Sequence, residues 1–335
     1  MTECREISGA AWDGLLHRFR DAVHEQSFSY AAARWGEKRV RCVVVERDGV
    51  MLSGAAAVGM QFFGWGIAAI KFGPLYRCGA GGDSDQVREA VRGIKSFFCR
   101  ERKLHLSILP QGLPENGMLI DALAETGFRE GAMIADPRRY FIDLACSEAE
   151  MRQGLAQGWR RNLKSADKQG LRVEECCSDS GLAIFRKLFD DLKARKQAVE
   201  ATGLNEMTAL DSSPHKELKP RVFLAKGGSG DALAGAIITS TGERAVFAFG
   251  AQSAEGAEIN ASYALQWAIV DRLRREGRCR WYDLGGDANA RGLIQFKTGF
   301  VGSTGRIATI PAWRDYSESA VSALAAKAAQ LLRRR

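Results

Sequence analysis

The sequence predicts an α/β (α+β) fold in which two similar domains each have a mixed, mostly antiparallel sheet flanked by helices. Its 335 residues are too many for one ordinary core, and at about 150 residues per domain they suggest two. A second observation is that one order of strand and helix patterns occurs once in each half of the chain. The composition, 46% hydrophobic and 26% charged, is typical of a soluble globular protein that can bury two cores.

The first half opens with apolar side chains at helical spacing over residues 12–25, which predict an amphipathic helix. Asp48-Gly49 is a hairpin-turn signal between two apolar stretches. The elements predicted after the opening helix are a short helix at 31–35, strands at 41–46, 51–58 and 67–72, a helix at 86–100, a strand at 104–109, a helix at 118–125 and a strand that starts at Gly127-Phe128. This order predicts a sheet that begins with a hairpin and has helices packed on it.

Residues 50–70 form a stretch of 21 residues without a charge, which is long enough in principle to cross a bilayer as a helix. Four glycines divide it into pieces of strand length, namely Gly54, Gly59, Gly64 and Gly66. The sequence therefore predicts strands here and no stable membrane span.

The second half repeats the same order. Its predicted elements are strands at 220–225, 233–239 and 245–249, a helix at 261–275, a strand at 279–284, a short helix and a last strand that opens near Gly299-Phe300. Gly235 lies 181 positions after Gly54, and Gly299 lies 172 positions after Gly127. A repeat of about 175 residues is too long for a solenoid unit and predicts two copies of one domain. The predicted division is 1–150, 151–316 and a C-terminal amphipathic helix at 317–335.

The segment 281–300, WYDLGGDANARGLIQFKTGF, is predicted to hold a functional loop. Asp283 ends a predicted strand, and ligand groups gather at the strand ends of open α/β sheets. Lys297 follows Phe296, so a cation and a flat apolar ring stand side by side. We interpret Asp283, Phe296 and Lys297 as candidate catalytic residues. The alternative is an ordinary strand exit followed by a solvated lysine.

The charge balance favours a polyanionic partner. The net charge is +8 with a pI near 9.1, which suits nucleic acid, nucleotide phosphates or an acidic membrane surface. The most cationic segment is 151–168, where Arg160, Lys164 and Lys168 recur at helical spacing beside Arg161. Such a stripe can contact phosphates, although a solvated helix face has the same pattern. Trp159 can stack on a base or ribose, or it can belong to the core.

Cysteine usage argues against a metal site and against a disulfide framework. The eight cysteines include no CxxC pair, and the chain has only four histidines. We therefore expect buried thiols in a reducing compartment and no metal. The N-terminal sequence MTECREISGA has no apolar core segment, so no signal peptide is predicted and the expected location is the cytoplasm.

Several motifs in order resemble the Fem family of non-ribosomal peptidyl transferases. They are Trp159-Arg-Arg-Asn162, Ala166–Gly170, Tyr263–Trp267, Tyr282–Gly286, Phe296-Lys297 and Gly299-Phe300, with Gly73-Pro74 in the first copy. The resemblance implies two tandem GNAT-like acyltransferase domains. It also implies transfer of an amino acid from aminoacyl-tRNA to an amine. Residues 181–219 are too short for the coiled-coil arm of larger members, so a compact form is expected.

The resemblance also implies roles for the two domains, with the first on the acceptor side and the second on the donor side. Lys297 and Phe296 would lie near the reacting ester. The implied tRNA contacts are Trp159, Arg160, Arg161, Lys164 and Lys168, and the implied acceptor contacts are Tyr30, Arg34 and Gly73. The family's acceptor is usually a peptidoglycan precursor stem peptide. Two of its acceptor-binding positions have no match here, so a small peptide or amine acceptor stays open.

The expected chemistry needs few catalytic residues and no cofactor, because an aminoacyl ester is already activated and positioning lowers the barrier. Lys297 would act as a cation rather than a base, and Asp283 would hold the amine or support the turn. The rival class is acyl-CoA-dependent N-acetyl transfer, but both candidate pyrophosphate loops, 77–82 and 252–257, are imperfect. The hypothesis of a non-catalytic nucleic-acid binder gives no reason for Asp283, Phe296 and Lys297 to occur together in one segment.

We expect the protein to be a monomer.

Overall fold

The computed structural model describes residues 2–78, 83–112, 117–134, 137–176, 178–196 and 203–333. The chain divides into two compact units, of which the first comprises Met1–Pro137 with Thr309–Arg335 and the second comprises Arg138–Ala308.

The first unit is a sheet with helices on it. In the order across the sheet, its strands are β1 (Thr2–Ile7), β2 (Val40–Arg47), β3 (Val50–Phe62), β4 (Trp65–Lys71), β5 (Leu104–Leu109), β14 (Arg314–Tyr316) and β6 (Arg129–Glu130). Neighbouring strands are antiparallel except for the parallel pair β4 and β5. The helices are α1 (Gly9–Leu15), α2 (Phe28–Trp35), α3 (Ser84–Lys95), α4 (Gly117–Glu125) and α12 (Ala320–Arg333), with a π-helical turn at Ser96–Glu101 and 3-10 turns at Leu16–Arg18, His24–Gln26 and Glu37–Arg39.

The charge-free stretch at 50–70 forms β3 and β4, as predicted. The turn before it has positive φ angles at both central residues, 51° at Asp48 and 79° at Gly49, as a two-residue hairpin requires. Among the described residues, no helix is both long and apolar enough to cross a membrane.

The second unit has the same plan. Across its sheet the strands are β13 (Arg306–Thr309), β7 (Arg138–Asp143), β12 (Trp281–Asp283), β11 (Arg244–Gln252), β10 (Ala232–Thr239), β9 (Arg221–Lys226) and β8 (Arg172–Cys176). The pair β11 and β12 is parallel, and β7 is antiparallel to β12. The helices are α5 (Glu148–Gly154), α6 (Gln157–Asp167), α7 (Ser178–Lys196), α8 (Leu204–Asp211), α9 (Ala254–Glu258), α10 (Ala261–Glu276) and α11 (Arg291–Val301), and a 3-10 turn lies at Lys216–Leu218.

The predicted architecture of two mixed, mostly antiparallel sheets flanked by helices is confirmed. The limits of the units differ from the predicted ones. The structural division falls after Pro137 rather than at residue 150, because β7 pairs with β12. The segment that carries β14 and α12 belongs to the first unit, because β14 pairs with β5 and β6. Each sheet is thus completed by a strand from the other half of the sequence.

Two local predictions were wrong. Gly299-Phe300 does not open a strand but lies inside α11, which ends at Val301. A Cβ atom at Gly299 would lie 3.3 Å from the Trp159 ring, so this glycine permits close helix packing. The opening helix was predicted over 12–25, but α1 ends at Leu15 and a 3-10 turn follows at Leu16–Arg18. In the segment 151–168 the chain is extended at Leu155 and Ala156, between α5 and α6.

Candidate functional site

Asp283 ends β12 as predicted, but its carboxylate is fully buried. Arg139 of β7 donates two hydrogen bonds to this carboxylate, from Nε to Oδ1 at 3.1 Å and from Nη2 to Oδ2 at 2.7 Å. The Gly285 amide donates to Oδ1 at 2.8 Å, and Arg244 Nη1 lies 3.4 Å from Oδ2. A carboxylate neutralised in this way fixes the start of the turn after β12. The geometry therefore favours the structural alternative for Asp283 over the role of a proton acceptor.

A second buried carboxylate, Asp287, holds the same turn from the other side. It accepts hydrogen bonds from Tyr140 Oη at 2.6 Å, Arg138 Nη2 at 3.1 Å and the Asn289 amide at 2.8 Å. Burial alone would raise the pKa of the Asp287 carboxyl. Its hydrogen-bond donors, with the charges of Arg138 and Lys297, outweigh burial and hold that pKa below its ordinary value. Asp287 was not among the predicted site residues.

Lys297 lies on α11 and is 6% exposed, so it is not a solvated lysine. Its Nζ donates to the carbonyl oxygen of Leu284 at 2.6 Å and also to that of Gly286. Gly285 between them has a φ of 76°, which aims its neighbours' carbonyls without a Cβ penalty. The ammonium thus connects helix α11 to the turn 284–289, and its visible contacts position the backbone.

Phe296 belongs to an aromatic cluster between α6, α10 and α11. Its ring meets Tyr263 edge-on at 5.0 Å and lies 5.9 Å from Trp159. Trp159 stacks face to face on Phe300 at 4.3 Å and is 3% exposed. The prediction of Trp159 as a base-stacking residue is therefore corrected, because both ring faces lie in the core. Phe296 is half-buried at the edge of this cluster.

The predicted cations lie on the outer side of α6. Arg160, Arg161 and Lys164 are exposed on this helix, and Lys168 is exposed at its C-cap. The opposite side of the helix is buried. Helix α6 packs on α11, where the Ala156 amide donates to the Gly299 carbonyl at 3.0 Å. Within the second unit, an exposed cationic helix thus packs directly on the helix that carries Lys297.

The predicted acceptor residues belong to the first unit. Tyr30 and Arg34 are half-buried on α2, and the Tyr30 ring meets His24 edge-on at 5.0 Å. Gly73 follows β4, and a Cβ atom there would lie 3.0 Å from the Gln26 side chain. Gln26 Nε2 donates to the Lys71 carbonyl at 2.6 Å, so the segment before α2 is fixed to the end of β4.

Comparison with known proteins supports this architecture. Residues 151–298 match the family model described as an acetyltransferase (GNAT) domain. A crystal structure of FemX is 16% identical, with 94% of this chain and 97% of that chain covered and a TM-score of 0.75. The chain has the tandem GNAT fold. The predicted resemblance to the Fem family is confirmed at the level of fold, and the matched domain makes the chain an acyltransferase.

Two further solved structures share the tandem GNAT fold. The C-terminal domain of a putative lysylphosphatidylglycerol synthetase from Agrobacterium fabrum is 17% identical, covers 97% of this chain and 98% of its own, and has a TM-score of 0.60. The structure of L-PGS from Bacillus licheniformis is 12% identical, covers 93% and 94%, and has a TM-score of 0.52. No curated protein matches the sequence.

Two amides of the candidate pyrophosphate loop in the second unit, those of Ser253 and Gly256, already have partners within the chain. After β11, Ser253 caps α9, and its Oγ accepts from the Gly256 amide at 2.9 Å. The Ser253 amide itself donates to the Leu233 carbonyl at 2.9 Å. A Cβ atom at Gly256 would lie 2.1 Å from that same carbonyl oxygen, so the loop is closed tightly on β10. The other candidate loop, 77–82, includes residues 79–82, which lie outside the described residues.

Each unit contains a buried cysteine whose thiol is not activated, Cys99 in the first and Cys279 in the second. Burial raises the pKa of Cys279 to about 11 and of Cys99 to about 12. Neither thiol is poised as a thiolate nucleophile near neutral pH. In the described part of the chain, no group of three or more His, Cys, Asp or Glu side chains is arranged to hold a metal ion.

Proposed function

We propose that this acyltransferase is an aminoacyltransferase that uses aminoacyl-tRNA as donor and an amine as acceptor. One observation carries the proposal: the exposed cations of α6 stand on a helix that packs against α11, the helix of Phe296 and Lys297. A polyanionic donor held by α6 would have its acyl end near the turn 284–289. A small acyl donor would give no reason for this cationic helix.

The proposed reaction is aminolysis of an ester. The neutral amine nitrogen of the acceptor attacks the ester carbonyl carbon, so a C–N bond forms and the C–O bond to the ribose breaks. The proton lost by the amine ends on the ribose hydroxyl that leaves. No oxidant or metal is required, and correct positioning of the two reactants can supply about 7–11 kcal/mol of the barrier.

The turn after β12 would serve this reaction as a rigid support. Lys297 is proposed as a positioning residue, because its ammonium is committed to the carbonyls of Leu284 and Gly286. Asp283 and Asp287 fix the two ends of the same turn. A turn held by buried charges keeps its backbone groups in one arrangement before the substrate binds.

The acceptor is proposed to bind the first unit. Tyr30, Arg34 and Gly73 are the candidate contacts, and the hydrogen bonds of Gln26 link their two segments. Arg34 offers a guanidinium suited to a phosphate or carboxylate. A peptidoglycan precursor stem peptide and a small peptide or amine both remain acceptors of the proposed class.

The second candidate is an acyl-CoA-dependent N-acetyltransferase, which the match to an acetyltransferase (GNAT) domain favours. In such enzymes free amides at a helix start bind pyrophosphate. Here the amides of Ser253 and Gly256 already have partners within the chain, which favours the tRNA donor.

A donor assay tests the proposal. The purified protein receives a mixture of amine acceptors with either total charged tRNA or acetyl-CoA, and half of each reaction receives RNase. Transfer from charged tRNA that RNase abolishes is the expected result. Transfer from acetyl-CoA that resists RNase would instead establish the second candidate, and transfer from neither donor would overturn both.

A further inference from the structure

The hairpin between β3 and β4 projects aromatic side chains into water and takes no part in the proposed site. Phe63 at its tip is fully exposed, Phe62 is 49% exposed and Met60 is 39% exposed. Phe62 faces Trp65 across the hairpin, with ring centroids 5.7 Å apart. Single exposed apolar residues are normal, but a contiguous group on one hairpin marks an interaction surface.

The turn that presents Phe63 has two residues, Phe63 and Gly64, with φ angles of 39° and 81°. Glycine, asparagine and aspartate are the usual residues at such positions. A phenylalanine there accepts an unfavourable backbone conformation and gains no packing, since its ring is wholly exposed. Folding alone therefore gives no reason for this side chain.

A cationic groove of about 330 Å³ adjoins the hairpin. Lys38, Arg39 and Arg41 line it together with the apolar side chains Met60 and Phe62. Arg41 pairs with Glu6 at 3.1 Å, and Arg102 Nη2 lies 3.2 Å from the same carboxylate. Glu101 also lies 3.9 Å from Arg102, so with exposed Glu37 included four cations face three acids, and the surface beside the aromatic residues keeps a small positive balance.

Helix α12 extends the exposed apolar surface at the base of the hairpin. Ser322 Oγ accepts from the Gly66 amide at 3.1 Å and donates to the Lys103 carbonyl at 2.6 Å. On either side of Ser322 along the helix, Val321 is 56% exposed and Leu324 is 66% exposed. Apolar residues of α12 and of the hairpin are thus both exposed in the first unit, and Ser322 joins α12 to the first residues of β4.

We propose that this surface, defined by Met60, Phe62, Phe63, Val321 and Leu324 with Lys38 and Arg39, docks the first unit on an anionic lipid bilayer. Aromatic and aliphatic side chains enter the boundary between headgroups and acyl chains, and Lys and Arg bind lipid phosphates. Phe63 is fully exposed and purely apolar, and the exposed cations Lys38 and Arg39 line the groove that adjoins the hairpin. This combination suits a bilayer better than a nucleic acid, because a nucleic acid offers phosphates to the cations but no acyl-chain interior to the aliphatic side chains.

Vesicle co-sedimentation of the full chain tests the inference. Vesicles of phosphatidylcholine alone are compared with vesicles that also contain phosphatidylglycerol, and binding is expected with the anionic vesicles. Replacement of both rings in Phe62→Ser/Phe63→Ser should weaken that binding about tenfold or more, since each buried ring is a large apolar surface. Lys38→Gln/Arg39→Gln should weaken binding to anionic vesicles and reduce its salt dependence.

Two control variants outside this surface test whether the loss of vesicle binding is specific to it. Val50→Ser removes a 64% exposed apolar residue at the opposite end of β3, and Arg92→Gln/Arg129→Gln removes two exposed cations elsewhere in the first unit. Both should bind vesicles as the wild type does. Circular dichroism and urea unfolding check that every variant folds.

Three results would overturn the inference: no binding to anionic vesicles, unchanged binding of Phe62→Ser/Phe63→Ser, or loss of tRNA binding rather than vesicle binding in that variant. The last result would assign the surface to a nucleic acid. The vesicle assay needs neither donor nor acceptor, so its outcome is independent of the proposed activity.

Discussion

The turns that leave two strands of the molecule, β4 in the first unit and β12 in the second, are held by different chemistry. Neutral amides hold the first, where Gln26 donates to the Lys71 carbonyl and Gln111 donates to the Phe72 carbonyl at 2.9 Å. Buried charges hold the second, through Asp283, Asp287 and Lys297. Removal of one partner from a buried amide hydrogen bond costs less stability than removal of one partner from a buried ion pair, because the second change leaves an uncompensated charge. Two sheets of the same strand order can therefore have turns that differ in how much stability a substitution removes.

The largest expected effect is on stability at the charged turn. Asp283→Ala leaves Arg139 without its buried carboxylate and should reduce the free energy of unfolding by about 3–5 kcal/mol. Gln26→Ala, which removes an equally buried amide from the first unit, should cost about 1–3 kcal/mol. Urea unfolding monitored by circular dichroism measures both. If Asp283→Ala does not fold, Asp283→Asn keeps the shape and removes the charge. Equal losses at the two positions would remove the distinction between the turns.

The strand ends and turns of the charged site could be predicted from the sequence, but its contacts could not. The apolar run and the two glycines that follow it marked the end of β12 at Asp283. Lys297 was identified as important, yet its partners are backbone carbonyls, which no side-chain pattern reveals. Arg139 is the second residue of β7 and lies 144 positions before Asp283, so only tertiary pairing brings the two together.

The same reason explains the errors at the domain level. Strand β14 has three residues and pairs with β5, which lies about two hundred positions earlier in the chain. The local pattern of apolar residues therefore cannot show which strand β14 pairs with. Gly299-Phe300 was interpreted as a strand start because it matches Gly127-Phe128 in the first copy of the repeat. Its actual requirement is the close approach of Trp159. Long-range packing decided both features.

The second effect is on activity. Lys297→Met removes the cation that holds the turn and should lower the transfer rate about 100-fold, since small displacements of positioned groups cost this much. The free energy of unfolding should fall by about 1–3 kcal/mol, because the buried carbonyl of Leu284 and the part-buried carbonyl of Gly286 lose their donor. Lys187→Met, at an exposed lysine of α7, is the matched control and should change neither. Wild-type transfer by a folded Lys297→Met protein would remove Lys297 from the site.

The third effect is on acid stability, and two buried carboxylates should respond with opposite signs. The pKa of Asp287 is lowered, so its stabilisation is complete above its ordinary value near 4 and is lost as the pH falls through the folded pKa. Burial raises the pKa of Asp21 in the first unit, despite hydrogen bonds from the Tyr76 and Arg77 amides. Its folded form therefore binds more protons, and its contribution improves as the pH falls.

Acid titration of urea midpoints in Asp287→Asn and Asp21→Asn compares the two groups. Asp287→Asn should lose less stability than the wild type on acidification, and Asp21→Asn should lose more. The direction of each change is the test. Parallel curves for both variants would mean that neither carboxylate differs between the folded and unfolded states.

The smallest effect is on the salt dependence of donor binding, where only exposed charges change. Replacement of Arg160, Arg161 and Lys164 by Gln should reduce the slope of log affinity against log salt by about 2, since each phosphate contact contributes about 0.7–0.9. The matched triple variant replaces Lys187, Lys193 and Lys216, which are exposed lysines of the same unit. Filter binding of charged tRNA over a salt series measures the slopes. If both triple variants reduce the slope equally, tRNA affinity depends only on the net charge of the protein. A selective reduction in the α6 variant would assign the donor phosphates to the helix that packs on α11.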